Sequence, residues 1–139
     1  MGMILAPVPS KSVAEVWPQI KGWLAKLDAR HAPWWRLKDP RKACMSRDCQ
    51  LWLIWDEAEL KAHGCVITRI TCDAAKVAEV PVVAGENMES WLHLLDDLEA
   101  WARREGCVAI ISTAARQGWV KVLKNRGWRR QAILMERRL

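Results

Sequence analysis

Among the residues of this chain that could ligate a metal or act as nucleophiles, the first to consider are five cysteines and three histidines. They are Cys44, Cys49, Cys65, Cys72 and Cys107, with His31, His63 and His93. No Cys-x-x-Cys pair occurs, and the histidines lack the spacing of a ligand set. The odd number of cysteines and the lack of an export leader predict reduced thiols, and apolar surroundings predict burial of Cys65 and Cys107. The sequence therefore predicts no metal site, and His63 and His93 receive no role.

Aromatic chemistry is restricted, because the chain has 10 tryptophans and neither tyrosine nor phenylalanine. A tyrosine general acid is thereby excluded. Most tryptophans are expected in the core, in the place that phenylalanine usually takes. The pair Trp34-Trp35 lies beside Arg36 in a predicted loop, where large aromatic side chains and arginine favour a binding interface.

Charge is unevenly distributed along the chain, whose net charge is +6. Residues 77–112 contain seven acidic and two basic residues, whereas residues 113–139 contain eight basic residues and one glutamate. A basic surface of this kind suits an acidic protein, nucleic acid or an anionic ligand. No nucleic-acid motif is present, so we expect a protein partner. The predicted contact residues, here called the basic strip, are Arg126, Arg129, Arg130, Arg137 and Arg138.

The elements that must position these residues form one predicted domain, residues 1–139. Strands are predicted over residues 3–6, 50–55, 65–72, 77–84, 107–112 and 128–139. Helices are predicted over residues 13–30, with Pro18 kinking or splitting the helix, and over 40–47, 88–105 and 113–127. Pro81 predicts an edge or a bulge in its strand. Antiparallel strands followed by a β-α-β unit predict an α/β (α+β) fold, with a mixed, twisted sheet of about six strands and helices on both faces. No apolar run reaches the length of a membrane span.

Two segments carry a resemblance to the Gcn5-related N-acetyltransferase (GNAT) family. Residues 98–107, LEAWARREGC, resemble the long helix of that family running into the next strand, and residues 118–128, GWVKVLKNRGW, resemble its helix ending in Gly-Phe. The order of elements agrees over nearly the whole chain. The resemblance implies a GNAT-like fold and, where the site is intact, acetyl transfer from acetyl-CoA.

The resemblance also implies that the coenzyme site is degenerate. Active members hold the coenzyme pyrophosphate on a glycine-containing turn before the long helix, Gln/Arg-x-x-Gly-x-Gly/Ala. The matching positions here are Glu86, Glu89 and Trp91, two carboxylates and an indole. Leu123 occupies the position of the tyrosine acid, and Pro81 lacks an amide where the family exposes amides to the thioester. We therefore predict no catalytic residue and no bound cofactor, and the losses favour a protein without enzymatic activity while leaving that question open.

A narrower resemblance is to GNAT-like proteins of phages and prophages. It rests on VWP at residues 16–18, QLW at 50–52, GENMESW at 85–91 and RQGW at 116–119. It implies a non-catalytic structural or binding component in virion head or tail assembly. The partners would be other phage proteins or a second copy, in the host cytoplasm or in the virion. The alternative is an N-acetyltransferase that takes acetyl-CoA at an atypical site, where Arg116, Lys121 and Lys124 supply the missing charge.

Overall fold

A single mixed sheet of five strands organises the chain, in the order β1-β2-β3-β4-β5. The computed structural model describes residues 2–30, 37–113, 117–133, 135, 137 and 139. The strands are β1 Met3–Val8, β2 Gln50–Asp56, β3 Lys61–Cys72, β4 Lys76–Gly85 and β5 Ala109–Ile111. The first four strands pair antiparallel, and β4 pairs parallel with β5. The antiparallel pairing of β2 with β3 and the parallel pairing of β4 with β5 are confirmed.

In the described part of the chain, four α-helices accompany the strands. They are α1 Val13–Arg30, α2 Pro40–Met45, α3 Leu95–Arg104 and α4 Gln117–Asn125. Helix α2 begins as predicted, because the Asp39 side chain accepts a hydrogen bond from the Lys42 amide and Pro40 fills the first turn. Pro18 does not split α1, which runs as one helix of 18 residues.

Hydrophobic residues alternate along the strands and divide between two faces of the sheet. On one face Trp52, Val66 and Val80 pack in a cluster that includes α3 residues and Leu123 of α4. On the other face Leu51, Ile67 and Val82 pack in a cluster that includes Ile20 and Leu24 of α1 and Cys44 of α2. The prediction of helices on both faces is confirmed.

Two predicted elements differ in the structure. The described residues from Trp128 onward form no strand, so the sheet there has five strands instead of six. Strand β5 is consequently an edge strand: it has three residues, and Ile111 and the preceding Val108 are exposed rather than buried. The apolar run at residues 107–112 correctly predicted a strand. Burial of that strand would require a sixth strand beside it.

The predicted helix over residues 88–105 is α-helical only from Leu95. Before it lie two 3-10 turns, Met88–Ser90 and Leu92–Leu94, separated at Trp91, whose φ of −134° is not helical. The apolar spacing of this segment is compatible with both helix types, so periodicity alone could not separate them. The start of the long helix is thus set by the position of Trp91.

Candidate functional site

Strand β4 extends beyond the end of β5, and the space beside the unpaired edge of β4 is here called the fork. The two strands pair over Val77–Glu79 and Ala109–Ile111, whereas β4 continues to Gly85. Within the described part of the chain, residues 82–85 pair with β3 alone, and residues 80 and 81 have no pairing partner. At the base of the fork the Ser112 hydroxyl donates to the Val80 carbonyl at 3.3 Å, and the Trp119 indole N–H lies 3.5 Å from the Ser112 oxygen. The fork therefore leaves one edge of β4 open toward α4.

A β-bulge in the β3–β4 pairing lies at the base of this fork. Ile67 pairs with Val82 and Arg69 with Glu79, so that Val80 and Pro81 together stand opposite the single residue Thr68. A bulge of this kind bends its strand locally. The bulge that Pro81 predicts is confirmed.

The turn that follows β4 is tightly bonded to the protein itself. The Glu86 amide donates to the His63 carbonyl at 2.8 Å, and the Ser90 and Trp91 amides donate to Asn87 and Met88 at 2.9 and 3.0 Å. Asn87 adopts a left-handed conformation with φ of 53°. These amides are engaged in 3-10 and strand-end bonds, so an anion would have to displace those bonds to use them.

Trp91 occupies the middle of this turn and is 1% exposed. Its indole N–H donates to the Glu86 carbonyl at 2.8 Å. A Cβ on Gly64 would lie 3.2 Å from the Trp91 ring and 2.7 Å from the Ala84 carbonyl oxygen, so the ring packs directly over a glycine. Trp91 thereby closes the turn onto the sheet.

The remaining residues predicted for the degenerate coenzyme site have separate environments. Glu86 and Glu89 are exposed, whereas Leu123 is buried in the core cluster beside α3. Occlusion of a coenzyme by Glu86, Glu89 and Trp91 stays a prediction, because it concerns a molecule outside this structure.

The predicted interface residues are only partly described. Trp34, Trp35, Arg36 and Arg138 lie outside the described residues. Arg129, Arg130 and Arg137 are exposed, but Arg126 is half-buried and donates to Asp96 on α3 at 3.1 Å. Arg126 thus joins α4 to α3 within the chain, and the interface role of the others stays a prediction.

The sequence analysis missed a cluster of three potential ligands at the β2–β3 hairpin. Asp56, Glu59 and His63 place one side-chain oxygen or nitrogen each within 4.8 Å of one another. Asp56 and Glu59 sit at the start of the turn and His63 lies on β3, so the hairpin brings them together. The spacing Asp-x-x-Glu-x-x-x-His in a polar turn is the signal that could have indicated it.

The thiols show no sign of chemical activation. Burial, with a smaller contribution from Cys49, raises the pKa of Cys44 to about 12. Burial likewise raises the pKa of Cys65 to about 12 and that of Cys49 above its usual value. The buried position predicted for Cys65 is confirmed, whereas Cys107 is half-buried.

Several solved structures that are similar to this chain are acetyltransferases. An aminoglycoside acetyltransferase from an uncultured soil metagenomic sample, in complex with sisomicin, matches with a TM-score of 0.71 and 9% identity over 99% of this chain and 96% of that chain. A Trypanosoma brucei acetyltransferase matches with a TM-score of 0.67 and 13% identity over 99% of both chains. A GNAT family acetyltransferase from Staphylococcus aureus matches with a TM-score of 0.64 and 14% identity over 100% of both. Neither a family model nor a curated protein matches the sequence.

The chain has a GNAT-like fold. The likeness spans the whole chain, so the fold implied by residues 98–107 and 118–128 is confirmed. None of these comparisons supports the predicted phage origin or the role in virion assembly. Among the described residues, no helix combines the length and apolar character needed to cross a membrane.

Proposed function

We propose that this GNAT-like chain is an N-acetyltransferase that takes acetyl-CoA in the fork between β4 and β5, at an atypical site. The fork is the observation that carries the proposal: residues 82–85 pair with β3 on one side, and the other edge of β4 is open among the described residues. An open strand edge offers backbone donors and acceptors, and the amides of the coenzyme arm can pair with them in the manner of an added strand. The structural likeness to acetyltransferases over the full chain supports the same assignment.

The chemistry requires no tyrosine. The acceptor amine forms a bond to the acetyl carbon, the carbon–sulfur bond breaks, and the proton released by the nitrogen ends on the departing sulfur. The protein contributes mainly by holding the thioester and the amine in line. Because the chain has no tyrosine and Leu123 is buried, this proton passes directly or through water.

A cationic amine is the acceptor class that the charges favour. Glu86 and Glu89 are exposed beside the turn at the end of β4, and acidic side chains raise the local concentration of a cation. Among the similar structures is an aminoglycoside acetyltransferase, whose ligand sisomicin is a polyamine. We infer an amine-bearing small molecule or peptide N-terminus as the acceptor.

The coenzyme phosphates then need basic side chains instead of the turn amides. Lys121 and Lys124 are exposed on α4, the helix that follows the fork. A phosphate contact from a lysine is a flexible point charge that needs no glycine-rich backbone. These two lysines are the described residues that we assign to this role.

Calorimetric titration with acetyl-CoA tests the proposal. We expect saturable binding of one equivalent, weakened in the double variant Lys121→Ala with Lys124→Ala. The matched control is Lys21→Ala with Lys26→Ala on α1, which removes the same charge from exposed positions and should bind as the parent does. Absence of saturable binding, or equal loss in both double variants, would contradict the proposal.

A second candidate is a GNAT-fold protein that binds a protein partner without acetyl transfer, including the predicted role in virion assembly. The packing of the turn favours it: Trp91 is buried and the Glu86, Ser90 and Trp91 amides are already bonded. On this candidate the titration gives no saturable heat, and a partner is found by crosslinking through the exposed arginines of the basic strip. The phage assembly role stays a prediction.

A further inference from the structure

Three potential metal ligands converge at the turn end of the β2–β3 hairpin. The Nε2 atom of His63 lies 3.4 Å from Oδ2 of Asp56 and 3.7 Å from Oε2 of Glu59. Ligand atoms bound tetrahedrally to Zn²⁺ at about 2.0–2.1 Å are about 3.3–3.4 Å apart. The first distance fits this spacing already, and the second requires a shift of a few tenths of an ångström by Glu59, whose side chain is 56% exposed.

The buried imidazole is the observation that distinguishes this cluster from an ordinary group of surface acids. His63 is 5% exposed, and among the described residues neither Nδ1 nor Nε2 makes an aligned hydrogen bond. An unpaired polar group in the interior is costly, on the order of 1–3 kcal/mol. Its Nε2 atom faces two carboxylates at ion-pair distance, so a cation held among them pairs Nε2 and both carboxylates at once.

The position of Asp56 is fixed by the hairpin turn. Its Oδ1 atom accepts the backbone N–H groups of Ala58 at 2.9 Å and Glu59 at 3.1 Å, which leaves Oδ2 directed at His63. The bond from the Glu59 amide is the main cause of a lowered pKa for the Asp56 carboxyl, and Ala58 and His63 contribute in the same direction, whereas desolvation opposes them. Metal ligands typically have this kind of outer support, which orients the donor atom.

The cluster borders a shallow cavity that is open at the surface. Met3 of β1 and residues 87–90, including Glu89, also line it. A metal at the cluster therefore has room for a water or for a further carboxylate as its fourth ligand. Lys61 forms an exposed ion pair with Glu59 at 3.3 Å; such pairs are weak, so a divalent cation can displace it.

We propose that Asp56, Glu59 and His63 hold one divalent transition metal ion of the Zn²⁺ type, with its fourth position facing this cavity. An imidazole with two carboxylates suits Zn²⁺ better than Mg²⁺ or Ca²⁺, which prefer oxygen ligands alone. The inference departs from the sequence analysis, which predicted no metal site. It stands independently of the proposed acetyl transfer.

The test is a calorimetric titration of the chelator-treated full chain with ZnCl₂, in a Cys72→Ser background because the Cys72 thiol is exposed. We expect one equivalent to bind, with millimolar Mg²⁺ failing to compete. The variants Glu59→Gln and His63→Ala should each weaken Zn²⁺ binding by about 10–100-fold or more. Loss of a residue that only hydrogen-bonds to a metal ligand already costs that much. Since Glu59 is exposed, Glu59→Gln alone carries the test if the His63 variant does not fold.

Matched controls separate the cluster from its neighbours. Glu57→Gln changes an exposed acid in the same turn, and His93→Ala changes an exposed histidine elsewhere; both should bind Zn²⁺ as the parent does. Substitution with Co²⁺ should give a spectrum without a thiolate-to-metal charge-transfer band. Lack of stoichiometric binding, unchanged affinity in Glu59→Gln, or a thiolate band would overturn the proposal.

Discussion

At the scale of single residues, Trp91 links the sheet to the turn that follows it. It is buried, its indole N–H donates to the Glu86 carbonyl, and its ring covers Gly64. A side chain with both an apolar body and a polar edge is needed to make these contacts together. The turn therefore depends on this one side chain for its shape.

Substitution of Trp91 separates its two contributions. Trp91→Phe removes the hydrogen bond to Glu86 and should lower the free energy of unfolding by about 0.5–1.5 kcal/mol beyond any packing loss. Trp91→Ala also opens a cavity and should cost about 3–5 kcal/mol. Urea unfolding followed by far-ultraviolet circular dichroism measures both. The control is Trp119→Phe, which removes a longer indole contact of 3.5 Å and should lower the free energy of unfolding by less. An equal loss of stability in Trp119→Phe and Trp91→Phe would contradict this account.

The cysteines should differ sharply in reactivity. At pH 8 the raised pKa values of Cys44 and Cys65, about 12, leave very little thiolate to attack a reagent. Cys72 is exposed and should react first. Alkylation of the native chain followed by peptide mass spectrometry should label Cys72 before Cys44, Cys49 and Cys65, and label all five cysteines after unfolding. Early labelling of Cys44 or Cys65 would show that these two thiols are not buried as described.

At the scale of elements, β3 and β4 approach most closely where Gly64 faces Gly85. A Cβ at Gly64 would meet the Ala84 carbonyl oxygen at 2.7 Å, and Gly85 has a φ of 146°, which side chains rarely adopt. The close approach lets the Glu86 amide reach the His63 carbonyl. Two glycines thus place the turn beside the Asp56, Glu59 and His63 cluster.

A pair of glycine substitutions tests this approach. Gly64→Ala forces the backbone of β4 or the ring of Trp91 to move and should destabilise the chain by about 1–3 kcal/mol. Gly22→Ala, within α1 where a Cβ meets nothing within 4 Å, should instead stabilise it by about 0.5–1 kcal/mol. Thermal unfolding of the two variants should therefore shift in opposite directions. A shift in the same direction would refute the described packing at Gly64.

Local sequence patterns predicted the elements that local forces decide. Asp39-Pro40 marked the start of α2, runs rich in apolar and β-branched residues marked β2 and β3, and Pro81 marked the bulge. The prediction of a strand after Trp128 was wrong for the described residues, because a strand requires a pairing partner elsewhere in the chain. The prediction of an α-helix before Leu95 was wrong, because the contact of Trp91 with Glu86 sets the backbone conformation of that segment.

At the scale of the whole molecule, the fold could be inferred from the order of elements, but the site only in part. Residues 98–107 and 118–128 indicated a GNAT-like fold, which the structure bears out. The cluster of Asp56, Glu59 and His63 escaped notice, because its value comes from the burial of His63 and from the direction of Asp56 Oδ2. Burial and direction are properties of the packed chain, so spacing alone does not contain them.

The central claim is that acetyl-CoA enters the fork between β4 and β5, and hydrogen–deuterium exchange tests it most directly. Within residues 80–85, the amides that face away from β3 lack a β5 partner in the described structure and should exchange quickly in the free chain. With saturating acetyl-CoA, peptides covering residues 80–85 should become protected, while peptides of α1 on the other face stay unchanged. Unchanged exchange at residues 80–85, or protection confined to another surface, would contradict the account.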